Sequence, residues 1–289
     1  MHQQGGKDLS TTQLKSTFDG NVERMEKLYL YYLAFIKELD HFGLVYDDEI
    51  RTKYTEAARS ATAHLKLREN PVIRTIADSP ELEKRLTQLK VSFNYEVDDE
   101  LVKKVFLDIK NSEFYKDYIE LIGTADQHEE LVLHIFKHYS ENYQLFEQHF
   151  EEEYPNFLDD KKLVASMLKK TISNIQQEKD SWLIEFVQDW DNTIGFGHAL
   201  IEKVVKNEEE LSKIVKDRII KWEPGQVAIL DTIILKMGIA EFLHFPSIPP
   251  TVTINEYVEL AKNYSPPNSK KFVNGVLDNV NRTLASQKQ

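Results

Sequence analysis

The sequence predicts an all-α protein, and two observations support that prediction. Glycine and proline are scarce, with 10 and 9 occurrences in 289 residues, so the residues that build tight turns and β-hairpins are few. Apolar residues recur at intervals of three and four over most of the chain, which is the spacing of one face of an α-helix. With 41% hydrophobic residues, a chain of this length can bury a substantial core in one or two domains.

Charge and composition exclude several classes of protein. The formal net charge of −12 repels nucleic acid and anionic membranes unless basic residues are gathered in one place. The absence of cysteine removes disulfides, thiol nucleophiles and cysteine-ligated metals, and it fits a reducing compartment. No apolar stretch approaches the roughly 20 residues that span a bilayer, and the first residues contain no signal-peptide core. We therefore expect a soluble, cytoplasmic protein without membrane contact.

The first half of the chain reads as a series of helices. One is predicted over residues 21–43, ending at Gly43 because glycine is common just after a helix C-terminus. The polar segment 1–17 before it predicts a frayed terminus. Ser79 and Pro80 have the residue types of an N-cap and a first helical position. Further helices are predicted over residues 48–67, 79–91, 100–111, 113–122 and 127–150.

The second half has stronger helical periodicity. Helices are predicted over residues 158–179 and 182–206, and the acidic run Glu208–Glu210 fits the first turn of another, after Asn207 as N-cap. We expect two domains: an acidic, aromatic helical region over residues 1–155 and a second helical domain over residues 156–289.

Few residue patterns suggest chemistry. His134 and His138 are one helical turn apart and could hold a metal, but spacing specifies no third ligand. The phosphate-binding and serine-hydrolase motifs are absent. Trp182, Trp190 and Trp222 could stack on bases, although aromatic residues at helical spacing are more often core. We therefore expect no metal, no cofactor and no enzyme activity.

The last part of the chain holds the candidate binding residues. Residues 228–245 are so densely apolar that they predict a helix surrounded by protein, with Glu241 as an acid in that stretch. Thr253 and Glu256 have capping-box spacing and predict a helix to about Tyr264. Ser269 is then a candidate N-cap for the last helix.

The last helix starts with two lysines where its dipole would favour acids. Free N–H groups at this start, Lys270, Lys271 and the following Phe272 form a plausible site for phosphate and a stacked base. Residues 262–289 carry a net charge of +4 within this acidic chain. The alternative is that the lysines are merely solvated and Phe272 belongs to the core.

Two segments near the C-terminus resemble the NusB family of bacterial transcription antitermination factors. Residues 253–262, TINEYVELAK, are similar to the family's INEAVELAK helix, and residues 271–278 read KFVNGVLD, its signature. Trp222, the run 229–235 and the segment 238–241 stand at the spacing of the preceding helices. The resemblance covers about residues 185–289 and implies an all-helical bundle with an additional helical N-terminal region.

The resemblance also implies a function. It implies a non-enzymatic factor that binds boxA-like RNA of ribosomal RNA transcripts with the ribosomal protein NusE, within the RNA polymerase antitermination complex. It carries RNA contacts onto Asn268, Ser269, Lys271 and Phe272, to which the residues themselves add Lys262 and Lys270. We expect the partner protein to bind an exposed polar face near Glu241 and the turn Pro246–Pro250. The alternative is that Glu241 is partly buried and bonded to a local donor.

Two departures from the family pattern bear on RNA affinity. The family commonly has an acid where this chain has Asn268, and its arginine-rich first helix has no counterpart before Asp8. The acidic region 45–155 is an insertion relative to shorter members. The alternative function is therefore a non-catalytic protein-interaction module of the same fold with little RNA affinity.

Overall fold

A computed structural model describes residues 9–53, 65–92, 95–120, 124–185, 189–219 and 227–287. Within these ranges the chain forms thirteen α-helices and no strand, which confirms the all-α prediction. The helices are α1 Thr11–Lys53, α2 Pro71–Ala77, α3 Pro80–Leu89, α4 Tyr95–Asn111, α5 Glu113–Glu120, α6 Ala125–Asn142, α7 Gln144–Glu153, α8 Phe157–Gln176, α9 Trp190–Lys206, α10 Glu208–Arg218, α11 Ile229–His244, α12 Pro250–Tyr264 and α13 Ser269–Gln287. No helix in the described ranges is both long and apolar enough to cross a bilayer.

The chain divides into two compact units. The central unit comprises Val22–Phe186, and the terminal unit comprises Met1–Asn21 together with Val187–Gln289. This division differs from the boundary expected near residue 155. The reason is α8, whose Phe157 ring lies 6.4 Å from Tyr32 of α1 and 5.4 Å from Phe150 of α7, between ring centroids. Helix α8 therefore completes the core of the central unit.

Helix α1 is longer than the sequence predicted at both ends. It starts at Thr11, where the Ser10 hydroxyl accepts the Gln13 N–H at 3.2 Å. It also continues through Gly43, because Phe42 and Tyr46 on either side pack against Phe106, with ring centroids 5.2 and 5.5 Å away. This packing offsets the roughly 1 kcal/mol that an interior glycine costs a helix. Most of the helix predicted over 48–67 lies outside the described residues.

Local signals explain most of the shorter helices of the central unit. Ser79 caps α3 as predicted, since its hydroxyl accepts the Leu82 N–H at 3.1 Å. Asn70 caps α2, a helix that the sequence analysis missed, by accepting from the N–H of Val72 at 2.9 Å. The helix predicted over 127–150 is interrupted at Tyr143 and forms α6 and α7.

The terminal unit contains the first turns of α1 and helices α9 to α13. In α1, Phe18 packs on α9 at Gly197, where an added Cβ would lie 2.5 Å from the ring. Lys15 bonds to Glu202 of α9 at 3.1 Å, and hydrogen bonds from Lys206 and Lys15 lower the pKa of Glu202 to about 2. The helix predicted over 182–206 begins only at Trp190, since residues 182–185 are not helical.

Candidate nucleic-acid interface

Helices α11 and α12 of the terminal unit hold the start of α13 in place. Leu235 and Ile239 of α11 are fully buried against Val273 and Leu277 of α13, in the hydrophobic core of this unit. Gly238 allows the close approach, because a Cβ there would lie 3.0 Å from Leu277 and 3.3 Å from Tyr257 of α12. The N-terminus of α13 is therefore fixed by a rigid core, as a binding site on a helix requires.

Ser269 does not cap α13, contrary to the prediction. It is the first residue of the helix, is 5% exposed, and donates from its hydroxyl to Asp231 Oδ2 at 2.7 Å. The contact joins the first turns of α13 and α11. Ser269 is thus a buried structural contact, and the expected direct contact of its side chain with RNA stays a prediction that this burial does not favour.

The first turn of α13 offers fewer free N–H groups than the sequence suggested. The Ser269 N–H donates to the Pro266 carbonyl at 2.9 Å, and the N–H groups of Lys271 and Phe272 donate to the Asn268 carbonyl at 3.2 and 3.4 Å. Only the Lys270 N–H has no backbone acceptor within the described residues of this turn. Attraction for a phosphate at this turn therefore depends mainly on side-chain charge.

The side chains that supply this charge point to solvent. Lys270 and Lys271 are exposed, and no salt bridge of the described chain includes either of them. Asn268, just before the helix, is also exposed. The structure thus brings two cations, a neutral amide and one free N–H together on consecutive residues, as anion binding requires.

Phe272 and Lys262 lie on either side of this cluster in sequence and contribute less than expected. Phe272 is half-buried and packs on the core of the terminal unit, so only part of its ring is open for stacking. Lys262, at the end of α12, is exposed but bonds to the carboxylate of Glu259 at 2.7 Å. Its charge is therefore partly offset by a neighbour on the same helix.

Glu241 is buried, so the expectation that it lies on an exposed polar face is wrong. It is 6% exposed and accepts hydrogen bonds from the Thr253 hydroxyl at 2.7 Å and the Tyr257 hydroxyl at 3.0 Å. Burial and the Glu241 charge raise the pKa of Tyr257. Thr253 is committed to this contact inside α12, which begins at Pro250, so the predicted capping box is wrong as well.

The histidine pair of the central unit forms a ring stack. His134 lies parallel to Phe114, 3.8 Å between centroids, and to His138 at 5.4 Å. Burial, followed by the His138 charge, lowers the pKa of His134. The described residues contain no group of three or more side chains placed to hold a metal. Trp182 is also buried, whereas the side chains of Trp190 and Trp222 lie outside the described part of the chain.

Comparison with known proteins places these helices in a family. The model of the NusB family matches residues 159–282, from α8 to α13. A transcription antitermination protein NusB of Bacillus mycoides (strain KBAB4) is 34% identical over 98 residues, which are 34% of this chain and 75% of the relative. The chain belongs to the NusB family.

Two further NusB relatives show the same partial coverage of this chain. The Bacillus velezensis protein (strain DSM 23117 / BGSC 10A6 / LMG 26770 / FZB42) is 31% identical over 103 residues, 36% of this chain and 79% of the relative. The Salinibacter ruber protein (strain DSM 13855 / M31) is 36% identical over 96 residues, 33% of this chain and 60% of the relative. No solved structure matches the chain. NusB similarity thus accounts for the C-terminal helices and leaves most of the central unit unmatched.

Sequence reasoning missed Asp231, which the structure places beside the candidate RNA-binding site at the start of α13. It is 4% exposed, and its carboxylate accepts a hydrogen bond from the Ser269 hydroxyl. One signal was available: Asp231 is an acid near the start of a very apolar helix, where a carboxylate complements the helix dipole. The sequence gives no sign of its contact with α13, because the two residues are 38 positions apart.

Proposed function

We propose that this chain is a transcription antitermination factor that binds single-stranded boxA-type RNA at the start of α13. The observation that carries the proposal is the pair Lys270 and Lys271, exposed side by side on the first turn of a helix whose base is fixed in the core. The name of the NusB relatives, transcription antitermination protein, supports the role. The ribosomal protein NusE and the RNA polymerase antitermination complex are the proposed partners, and no catalytic step is proposed.

The proposed surface for NusE is the turn Pro246–Pro250 between α11 and α12. Pro246, Ser247, Pro249 and Pro250 are exposed there, and Val252 in the first turn of α12 is 45% exposed. An exposed apolar side chain beside a rigid turn suits a protein partner better than an RNA backbone. Glu241 is buried and bonded to Thr253 and Tyr257, so it is not a contact residue of this proposed surface.

A second candidate function is a protein-interaction module with little RNA affinity of its own. The net charge of −12 and the use of the Ser269 amide within the protein favour it. Under this alternative, the turn Pro246–Pro250 still binds a protein, but Lys270 and Lys271 are only solvated.

Salt-dependent RNA binding separates the two candidates. Each phosphate contact on a single strand contributes about 0.7 to the slope of log K against log salt. We expect the double substitution Lys270→Ala and Lys271→Ala to flatten that slope by about 1.4 between about 50 and about 200 mM salt. The measurement is fluorescence anisotropy of a labelled boxA-type RNA oligomer at several salt concentrations.

A matched pair of lysines controls for total charge. Lys213 and Lys216 on α10 are also exposed, so Lys213→Ala with Lys216→Ala changes the net charge equally at a different place. This control should lower affinity only slightly and leave the slope unchanged. Equal slopes for both double variants, or no measurable binding by the unmodified chain, would favour the protein-interaction module.

A further inference from the structure

Helix α11 buries two carboxylates, and they differ in how well they are bonded. Both oxygens of Glu241 accept a hydroxyl hydrogen bond, from Thr253 and from Tyr257. Asp231 uses only Oδ2, which accepts from Ser269 at 2.7 Å, while its buried Oδ1 has no hydrogen-bond partner in the described chain. A buried carboxylate oxygen without a hydrogen-bond donor lowers the stability of the fold, so a native structure that contains one needs an explanation.

The position of Asp231 explains how the fold tolerates the cost. Asp231 lies in the first turn of α11, where the positive end of the helix dipole stabilises a carboxylate. No salt bridge of the described residues includes it. The first turns of α11 and α13 therefore meet at one negative side chain, which no cation among the described residues pairs with.

This charge bears directly on the candidate RNA site. Ser269, which Asp231 holds, is the residue immediately before Lys270 and Lys271. A buried charge near the start of α13 is screened less than a solvated one and opposes the approach of a phosphate. The same hydrogen bond also fixes the backbone on which the two lysines stand.

We propose that Asp231 is a positioning residue that also limits the affinity of the α13 start for RNA. Its hydrogen bond to Ser269 orients the first turn, and its negative charge weakens phosphate binding there. This inference rests on the proposed function, since it concerns how strongly the same site holds RNA. Its biochemical consequence is a weak contact that forms and releases readily.

The decisive variant is Asp231→Asn, which keeps an oxygen to accept from Ser269 and removes the charge. We expect its affinity for the single-stranded boxA-type RNA oligomer to rise about 3- to 10-fold at about 0.1 M salt. The slope against salt should stay close to that of the unmodified chain, because the number of phosphate contacts is the same. A purely structural role for Asp231 predicts equal or weaker binding.

Two companion variants separate charge from position. Glu241→Gln removes a buried carboxylate from the same helix, ten residues or about 15 Å further along, and should leave RNA affinity within twofold of the unmodified chain. Ser269→Ala keeps the Asp231 charge but removes the hydrogen bond, and should weaken RNA binding about 3-fold or more. Circular dichroism confirms that each variant is folded at the assay temperature.

The outcomes distinguish this inference from the function on which it rests. If the unmodified chain binds and the Lys270 and Lys271 variant flattens the salt slope, but Asp231→Asn does not bind more tightly, only the role of Asp231 is wrong. An equal gain in Glu241→Gln would likewise overturn it, because total charge would then explain the effect. If neither the unmodified chain nor Asp231→Asn binds RNA, both proposals fail.

Discussion

Replacing Leu235 with Ala is expected to lower the free energy of unfolding of the terminal unit by about 2–5 kcal/mol. Leu235 is fully buried at the centre of α11, in the same hydrophobic cluster as Leu277 of α13. Shortening it removes apolar contacts and leaves a cavity that three packed helices cannot close. Native-state hydrogen exchange in α11 and α13 measures the change in this unit separately from the central unit.

Ile229 provides the matched control on the same helix. It is 82% exposed, so Ile229→Ala should change the stability of the terminal unit by less than about 0.5 kcal/mol. Near-neutral effects at both Leu235 and the equally buried Ile239 would show that α11 is not the centre of this core.

Replacing Glu241 with Ala is expected to cost about 2–4 kcal/mol of stability in the terminal unit. The substitution leaves the Thr253 and Tyr257 hydroxyls, which now donate to Glu241, without their acceptor. Thr253 is 1% exposed and Tyr257 4% exposed, so water does not readily replace the lost partner. Hydrogen exchange in α11 and α12 is the measurement.

The same variant tests whether Glu241 contacts a protein partner. At a temperature where Glu241→Ala is folded, its affinity for NusE should equal that of the unmodified chain, because the side chain does not reach the surface. Glu256→Ala, an exposed acid on α12, controls for loss of one negative charge. If Glu241→Ala binds NusE more weakly while its stability is unchanged, Glu241 contacts the partner directly.

Most of the helices could be predicted, because their signals are local. The Ser79-Pro80 start of α3 and the acidic first turn of α10 each depend on neighbouring residues. The ends of helices were harder to predict than their presence. Helix α1 continues past Gly43 because Phe42 and Tyr46 pack on Phe106, which is more than fifty residues away in sequence. A terminating signal can thus be overridden by tertiary packing.

The candidate site shows the same limit. Lys270 and Lys271 were expected to form a phosphate site at the helix start, and the family resemblance added Asn268; all three are exposed. Ser269 and Thr253 were interpreted as caps, yet both hydroxyls bond to buried acids of α11. Capping residues and residues that bond across helices have the same side chains, and only the three-dimensional packing decides between them.

Photochemical cross-linking of RNA to the full chain locates the RNA-binding surface. A boxA-type RNA oligomer that contains 4-thiouridine would be bound, irradiated, and its cross-linked peptides identified by mass spectrometry. RNA binding at the start of α13 predicts cross-links concentrated in residues 262–273, at the end of α12 and the start of α13. Cross-links concentrated in the central unit, Val22–Phe186, or on α10 would contradict it.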